Sequence, residues 1–236
     1  MNHTLSILWQ DEQAMVLNKP AGVACLPLAG SELPNLGEAL ATEFPELKNV
    51  PDFGLCHRLD NNTSGCVLVA RHETSYQFFR KAFQEQKVRK FYQALVFGQL
   101  DGEENIGFPI AHHSRKAHKM MACATPQKAK ANKARPALTH FRALKVFSNH
   151  TLLEVEIVTG VRHQIRVHLA FIGCPIVGDL LYQKPLEREQ DQFKLERLFL
   201  HAGELRFLHP HTKQQITVTS ELPDQLTQVL QHLKLR

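Results

Sequence analysis

An α+β fold with a largely antiparallel sheet is what the sequence predicts, on three observations. Apolar segments of strand character fall in clusters with few helical segments between them, where a doubly wound parallel sheet needs regular strand and helix alternation. The chain has 236 residues and is 43% hydrophobic, enough for one continuous core. No internal repeat, glycine-rich phosphate loop or low-complexity linker interrupts it, so a single domain, 1–236, is expected.

Strands are predicted first at Ala14–Leu17 and Gly65–Ala70, the latter a short apolar run of the kind found in a buried strand. Phe91–Phe97, Leu138–Leu144, Leu153–Ile157 and Gln215–Thr219 follow, with clean apolar and polar alternation in Leu153-Glu154-Val155-Glu156-Ile157. Helical spacing joins Leu36, Leu40 and Phe44, then Tyr76, Phe79 and Phe83. Thr159–Gly173 begins where a strand ends and stops at a glycine, with Ile165, Leu169 and Ile172 on one stripe. A last helix carries Leu226, Val229, Leu230 and Leu233, is entered through Ser220 and Pro223, and docks on the core.

The net charge of +5 hides an asymmetry. Between Ile106 and Leu153 stand nine lysines and arginines and no acid, so the remainder of the chain sums to −4. The densest part, from Ser114 to Pro136 with Lys128, Lys130 and Lys133, lacks apolar periodicity and reads as an exposed loop or arm. Such an arm is either solvated surface or a phosphate tracker for nucleic acid.

No apolar run is long enough to span a membrane, and Met1–Ser6 lacks the basic and apolar regions of a secretory signal, so a cytoplasmic protein is expected. Five cysteines, odd in number and without a Cys-x-x-Cys pair, indicate neither a disulfide framework nor a zinc site. Of the 14 histidines, His163 and His168 are five apart and so do not share a helix face, and the His112–His113 doublet reads as loop. Neither a metal nor a cofactor is expected, and a monomer is the default.

One carboxylate stands out. His57-Arg58-Leu59-Asp60-Asn61-Asn62-Thr63-Ser64-Gly65 sets Asp60 in a polar turn leading straight into the Cys66–Ala70 run. Thr63, Ser64 and Gly65 supply hydroxyls and a permissive backbone, so the turn can hold Asp60 as a seated nucleophile. The same residues make an ordinary Asx turn, and alone they assign nothing. In the Thr159–Gly173 segment, Arg162 and Arg166 fall at i, i+4 on a helix, where like charges disfavour each other unless an anion lies beside them. A buried aspartate and an RNA phosphate are the two candidates, with an exposed basic helix end as the alternative.

Taken together, these segments resemble the RluA-type pseudouridine synthases in a form lacking the N-terminal RNA-binding domain. Five motifs carry the resemblance in order: Asn18-Lys19-Pro20-Ala21-Gly22, the His57–Gly65 turn, Lys90–Gly98, His163–Ala170, and Leu200-His201-Ala202 before Leu205-Arg206-Phe207. They span the chain from about Ile7 to about Leu222. The resemblance implies the pseudouridine synthase fold, with Asp60 as catalytic aspartate, Tyr92 as active-site tyrosine and Arg166 as the arginine paired with Asp60. It also implies that Arg58 faces RNA near an extruded nucleotide.

Lys19 is expected either at an RNA phosphate or as a surface turn residue, and Arg162, Lys128, Lys130 and Lys133 along the RNA. The chain departs from the family pattern at Asn61, where a charged residue is usual, and at Val23-Ala24-Cys25-Leu26-Pro27, where an apolar-His-Pro sequence is common.

The implied reaction is isomerisation of a uridine in ribosomal or transfer RNA, needing no cofactor. Two other readings stand beside it. A glycoside or nucleoside hydrolase usually requires two carboxylates, and Asp52 and Asp60 offer no evident acid partner. A non-catalytic RNA-binding ribosome-assembly factor on the same fold would keep the basic arm without needing Asp60, Tyr92 and Arg166.

Overall fold

The computed structural model describes residues 5–27, 30, 33–116, 118–189, 191–193 and 195–234. From the N-terminus the chain forms β1 (Ile7–Gln10), β2 (Ala14–Lys19), α1 (Leu36–Glu43), two 3-10 turns (Pro45–Asn49 and Pro51–Gly54), β3 (Ser64–Ala70), α2 (Glu73–Gln84), β4 (Arg89–Phe97), β5 (Glu103–Ile106), β6 (Ile110–His112) and β7 (Met120–Ala122). The second half contains α3 (Pro126–Ala131), β8 (Thr139–Val146), β9 (His150–Ile157), α4 (Gln164–Phe171), α5 (Pro185–Glu189), β10 (Leu200–Leu208), β11 (Gln215–Thr219) and α6 (Asp224–Lys234). The chain divides into two compact units, Met1–Lys90 with His201–Glu221, and Phe91–Leu200 with Leu222–Arg236.

In the first unit β1 pairs with β2 and β2 with β3, both antiparallel, while β3 runs parallel to β10, which also pairs with the antiparallel β11. Every residue of β3 is buried, which explains its unbroken apolar run. The core of this unit joins Val16, Leu68, Phe79, Leu205, Phe207 and Val218. Phe79 of α2 meets Phe207 edge-on at 5.5 Å, an arrangement that suits the quadrupoles of the two rings. Asn35 caps α1 by accepting a hydrogen bond from the Glu38 amide at 3.0 Å, and Phe44 lies just past the helix end.

In the second unit β9 lies between β4 and β8, and β8 also pairs with β5, all antiparallel. β5 carries Glu103 and Glu104, acids that mask its strand character in the sequence. Its register puts Glu103 opposite Arg142 and Asn105 opposite His140, so its polar groups meet polar partners across the ladder. α6 buries Leu226, Val229 and Leu233, as its spacing predicts.

The segment expected to be a basic loop or arm is partly folded. β6 and β7 form an antiparallel hairpin, and Ile110 exchanges backbone hydrogen bonds with Arg135 at 2.9 and 2.8 Å. Ile110, Met120 and Ala137 then pack with Val161 and Val167 in a small second core. α3 is capped by Thr125, whose Oγ1 accepts from the Lys128 amide at 3.2 Å, and it buries nothing. A helix with no buried face has no apolar stripe, so periodicity could not reveal it.

Candidate active site

Asp60 opens a tight turn in the first unit, closed by the Thr63 amide donating to the Asp60 carbonyl at 3.0 Å. The Asn61 carbonyl accepts from the Gly22 amide at 2.8 Å and from Lys19 Nζ at 3.0 Å. Lys19 Nζ donates further to the carbonyls of Pro20 at 2.8 Å and Val23 at 2.7 Å. Lys19 is fully buried, so the expectation of an RNA-phosphate contact or a surface turn residue is corrected. An ammonium has three donors, and here they tie the Lys19–Val23 loop to the Asp60 turn.

The residue before the aspartate is anchored as well. Cys25 Sγ accepts from the Leu59 amide at 3.4 Å, and burial raises the Cys25 thiol pKa. Asp60 itself is half-buried and Arg58 is exposed. Cys25 belongs to the stretch that departs from the family pattern, yet it serves the turn by packing beneath it. The Asn61 departure is neutral for the same scaffold, because the backbone carbonyl and not the side chain does the holding.

Beyond the turn, Ser64 Oγ meets His201 Nδ1 at 2.8 Å, and His201 Nε2 lies 3.1 Å from the Ser220 carbonyl. A carbonyl only accepts, so Nε2 carries a hydrogen and donates it to Ser220. Gly65 has φ +109, and a Cβ there would sit 2.2 Å from the Ala202 carbonyl oxygen. Only glycine lets β10 approach this closely. His57 Nε2 accepts from the Leu68 amide at 3.1 Å, and its ring lies 4.8 Å from that of Phe83. Burial, then the Lys90 and Arg80 charges, push the His57 pKa down to about 3, so the ring is neutral.

The second unit holds Tyr92, Arg162 and Arg166. Tyr92 is 5% exposed on β4, opposite Val155 of β9. Arg162 and Arg166 do not share a helix face as their spacing predicts. α4 begins at Gln164, and His163 before it is left-handed at φ 56. The chain therefore turns between the two arginines, leaving Arg162 exposed and Arg166 buried.

The expected anion beside Arg166 is present as a buried aspartate that sequence reasoning did not single out. Arg166 Nε donates to Asp179 Oδ2 at 2.6 Å and Nη2 to Asp179 Oδ1 at 2.8 Å, a bidentate pair with side chains 9% and 1% exposed. The Tyr182 ring lies over this guanidinium, 5.1 Å from Cζ, and Lys119 Nζ is 5.0 Å from the same ring. Tyr182 Oη accepts from the Met120 amide at 2.9 Å and meets His163 Nδ1 at 2.9 Å.

α4 is seated by a polar network also missed in the sequence. Gln164 Oε1 accepts from Thr159 Oγ1 at 2.8 Å and the Val161 amide at 3.1 Å. Its Nε2 donates to the Leu138 carbonyl at 2.9 Å and Thr139 Oγ1 at 3.0 Å. His168 bridges Thr139 Oγ1 at 2.9 Å and the Phe108 carbonyl at 2.8 Å, with its pKa lowered by burial. The Gln and His of this segment thus brace the helix that carries Arg166.

Lys128, Lys130 and Lys133 are all exposed, the first two on α3 and the third just after it at φ 50. No group of three or more His, Cys, Asp or Glu side chains among the described residues is placed to hold a metal ion. No helix among them is long and apolar enough to cross a membrane.

Residues 13–171 match the model of the RNA pseudouridylate synthase family. The chain is 35% identical over 233 residues to the ribosomal large subunit pseudouridine synthase D of Nitrosomonas europaea, covering 98% of this chain and 65% of that protein. It is 33% identical over 238 residues to the protein of the same name from Yersinia pestis, covering 98% and 71%. Among solved structures, human RNA pseudouridylate synthase domain containing 1 aligns at a TM-score of 0.74 with 26% identity, over 100% of this chain and 97% of that one.

The fold is thus the α+β pseudouridine synthase fold, with mixed and mostly antiparallel strand pairing. The chain belongs to the RNA pseudouridylate synthase family. It spans about two thirds of the length of these curated relatives.

Proposed function

We propose that this protein is an RNA pseudouridine synthase whose substrate is a uridine in ribosomal RNA. The observation that carries the reading is the family match over residues 13–171, a stretch that contains Asp60, Tyr92 and Arg166. The names of the large-subunit synthases of Nitrosomonas europaea and Yersinia pestis favour ribosomal over transfer RNA.

In this reaction the bond from C1′ to N1 of the uridine breaks and C1′ rejoins the base at C5. The C5 proton leaves and N1 gains one, so no redox equivalent or energy source is consumed. Asp60 acts at the reacting nucleotide, as nucleophile or as stabiliser of a cationic sugar. The role that the family resemblance implies for Arg166 is to keep the carboxylate of Asp60 ionised against the desolvation that a bound base imposes. Tyr92 packs against the uracil and moves the proton.

The target base must leave its stack to be reached, and the exposed Arg58, beside the aspartate turn, fills the space it vacates. Arg162 with Lys128, Lys130 and Lys133 follows the phosphates. The test is release of tritium from 5-tritiated uridine in an unmodified large-subunit rRNA transcript. Wild type should release it and a folded Asp60→Asn variant should not. Equal release by both would remove Asp60 from the chemistry, and tight RNA binding without release by wild type would favour the assembly-factor reading.

A further inference from the structure

We infer that Asp179, helped by the Tyr182 ring that lies over the guanidinium, is a positioning residue that aims Arg166 at its work, an inference that rests on the role proposed for Arg166 above. A guanidinium carries five N–H donors in one rigid plane. Asp179 takes the edge made by Nε and Nη2, at 2.6 and 2.8 Å. Once that edge is fixed, the plane and the direction of every remaining donor are fixed with it.

Asp179 is itself well anchored. Its carbonyl accepts from the amides of Tyr182 at 3.1 Å and Gln183 at 2.9 Å, and its Oδ1 accepts additionally from the Leu181 amide at 3.2 Å. Just before it, Gly178 has φ +76, and a Cβ there would lie 2.2 Å from the Arg197 carbonyl. The backbone is therefore held close against residue 197 where the aspartate projects. Tyr182 closes the frame from the ring side, its hydroxyl pinned by the Met120 amide of the β6–β7 hairpin.

Stability alone does not account for such an arrangement. A buried ion pair often does no better than apolar residues of the same volume, because desolvation offsets its attraction. What the pair supplies is a guanidinium with one orientation in a buried site, as an arginine with a fixed role in the chemistry requires. Asp179 and Tyr182 lie outside the stretch matched by the family model, so that match does not single them out.

The experiment compares wild type, Asp179→Asn and Tyr182→Leu on the tritiated rRNA transcript. It also follows the Arg166 Nε–H resonance in protein labelled with nitrogen-15 arginine. A misplaced catalytic group costs on the order of 10²-fold, and that loss is expected in kcat for Asp179→Asn with KM nearly unchanged. The Arg166 Nε resonance should be protected in wild type and exposed in Asp179→Asn.

Tyr182→Leu keeps the ion pair and is expected to show a smaller kcat loss, which maintains the test should Asp179→Asn fail to fold. Two variants with near wild-type kcat, a loss confined to KM, or an unaltered Nε resonance would each overturn the inference. An inert wild type would instead strike the proposed function, and with it the catalytic part of this inference.

Discussion

Lys19 and Asn61, 42 residues apart, meet through an ammonium-to-carbonyl hydrogen bond of 3.0 Å that ties the first motif of the chain to the turn of the aspartate. Lys19→Met keeps the length of the side chain and removes all three donors. A hydrogen bond to a charged donor contributes about 1.5–3 kcal/mol, and because the three do not add fully and water can reach the carbonyls of the exposed Pro20 and Asn61, a total of about 2–4 kcal/mol is expected. Urea unfolding measures it. Salt dependence of RNA binding should be unchanged in the folded variant, and a reduced slope would return Lys19 to the phosphates.

His57 makes stability depend on pH. Its folded pKa is about 3, against 6.5 for an unperturbed ring. Between those values the unfolded chain takes a proton that the folded chain refuses, so stability is complete above the upper value. It falls as pH drops toward the lower one, by at most about 1.4 kcal/mol per pH unit for one proton. His150 and His168, also lowered by burial, act in the same direction. His57→Gln should flatten the acid slope by up to one proton's worth in urea titrations between neutral pH and about pH 4. A parallel slope in the variant would mean that the His57 ring is protonated in the folded state.

Gly65 and Gly102 offer a controlled pair. Both have positive φ, but a Cβ on Gly65 would strike the Ala202 backbone at 2.2 Å while one on Gly102 meets nothing within 4 Å. Gly102→Ala should cost only the left-handed strain, about 1–2 kcal/mol. Gly65→Ala must also part β3 from β10, which opens the Ser64–His201 hydrogen bond, and should exceed about 3 kcal/mol. Equal costs by chemical unfolding would show that β10 yields easily.

Elements with a regular apolar pattern are readable from the sequence, but burial alone does not make one so: β10 is largely buried, yet His201, Gly203, Glu204 and Arg206 break its pattern and the sequence predicts no strand there. β3 announces itself by an unbroken apolar run, and α2 and α6 by apolar side chains at helical spacing. β5 and α3 are silent because nearly all their side chains face water, Ile106 at the end of β5 being the exception, and their pairing and capping leave little trace in hydropathy. Site residues follow the same division. Asp60 sits in a turn whose residue types are distinctive, whereas Asp179 is one acid among loop residues until the fold brings Arg166 to it. Lys19 misled because a lysine beside a proline reads as surface, and only the three converging carbonyls show why it is buried.

The basic segment permits a test of RNA binding that leaves the core alone. α3 buries no residue, and Lys128, Lys130 and Lys133 are exposed, so replacing all three by glutamine should leave unfolding within a few tenths of a kcal/mol of wild type. Each phosphate that is no longer neutralised by a lysine takes about 0.7 off the slope of log K against log salt for single-stranded RNA, so the slope of the triple variant should be shallower by up to about 2. At low salt its affinity should drop clearly, and near molar salt, where little counterion is left to release, it should approach wild type. Because these lysines touch no base in the proposed scheme, the site of pseudouridine formation should stay the same while KM rises. Filter binding across a salt series, with tritium release measured in parallel, separates the outcomes. A kcat loss at saturating RNA would place the segment in the chemistry, and an unaltered salt slope would make these lysines ordinary solvated surface.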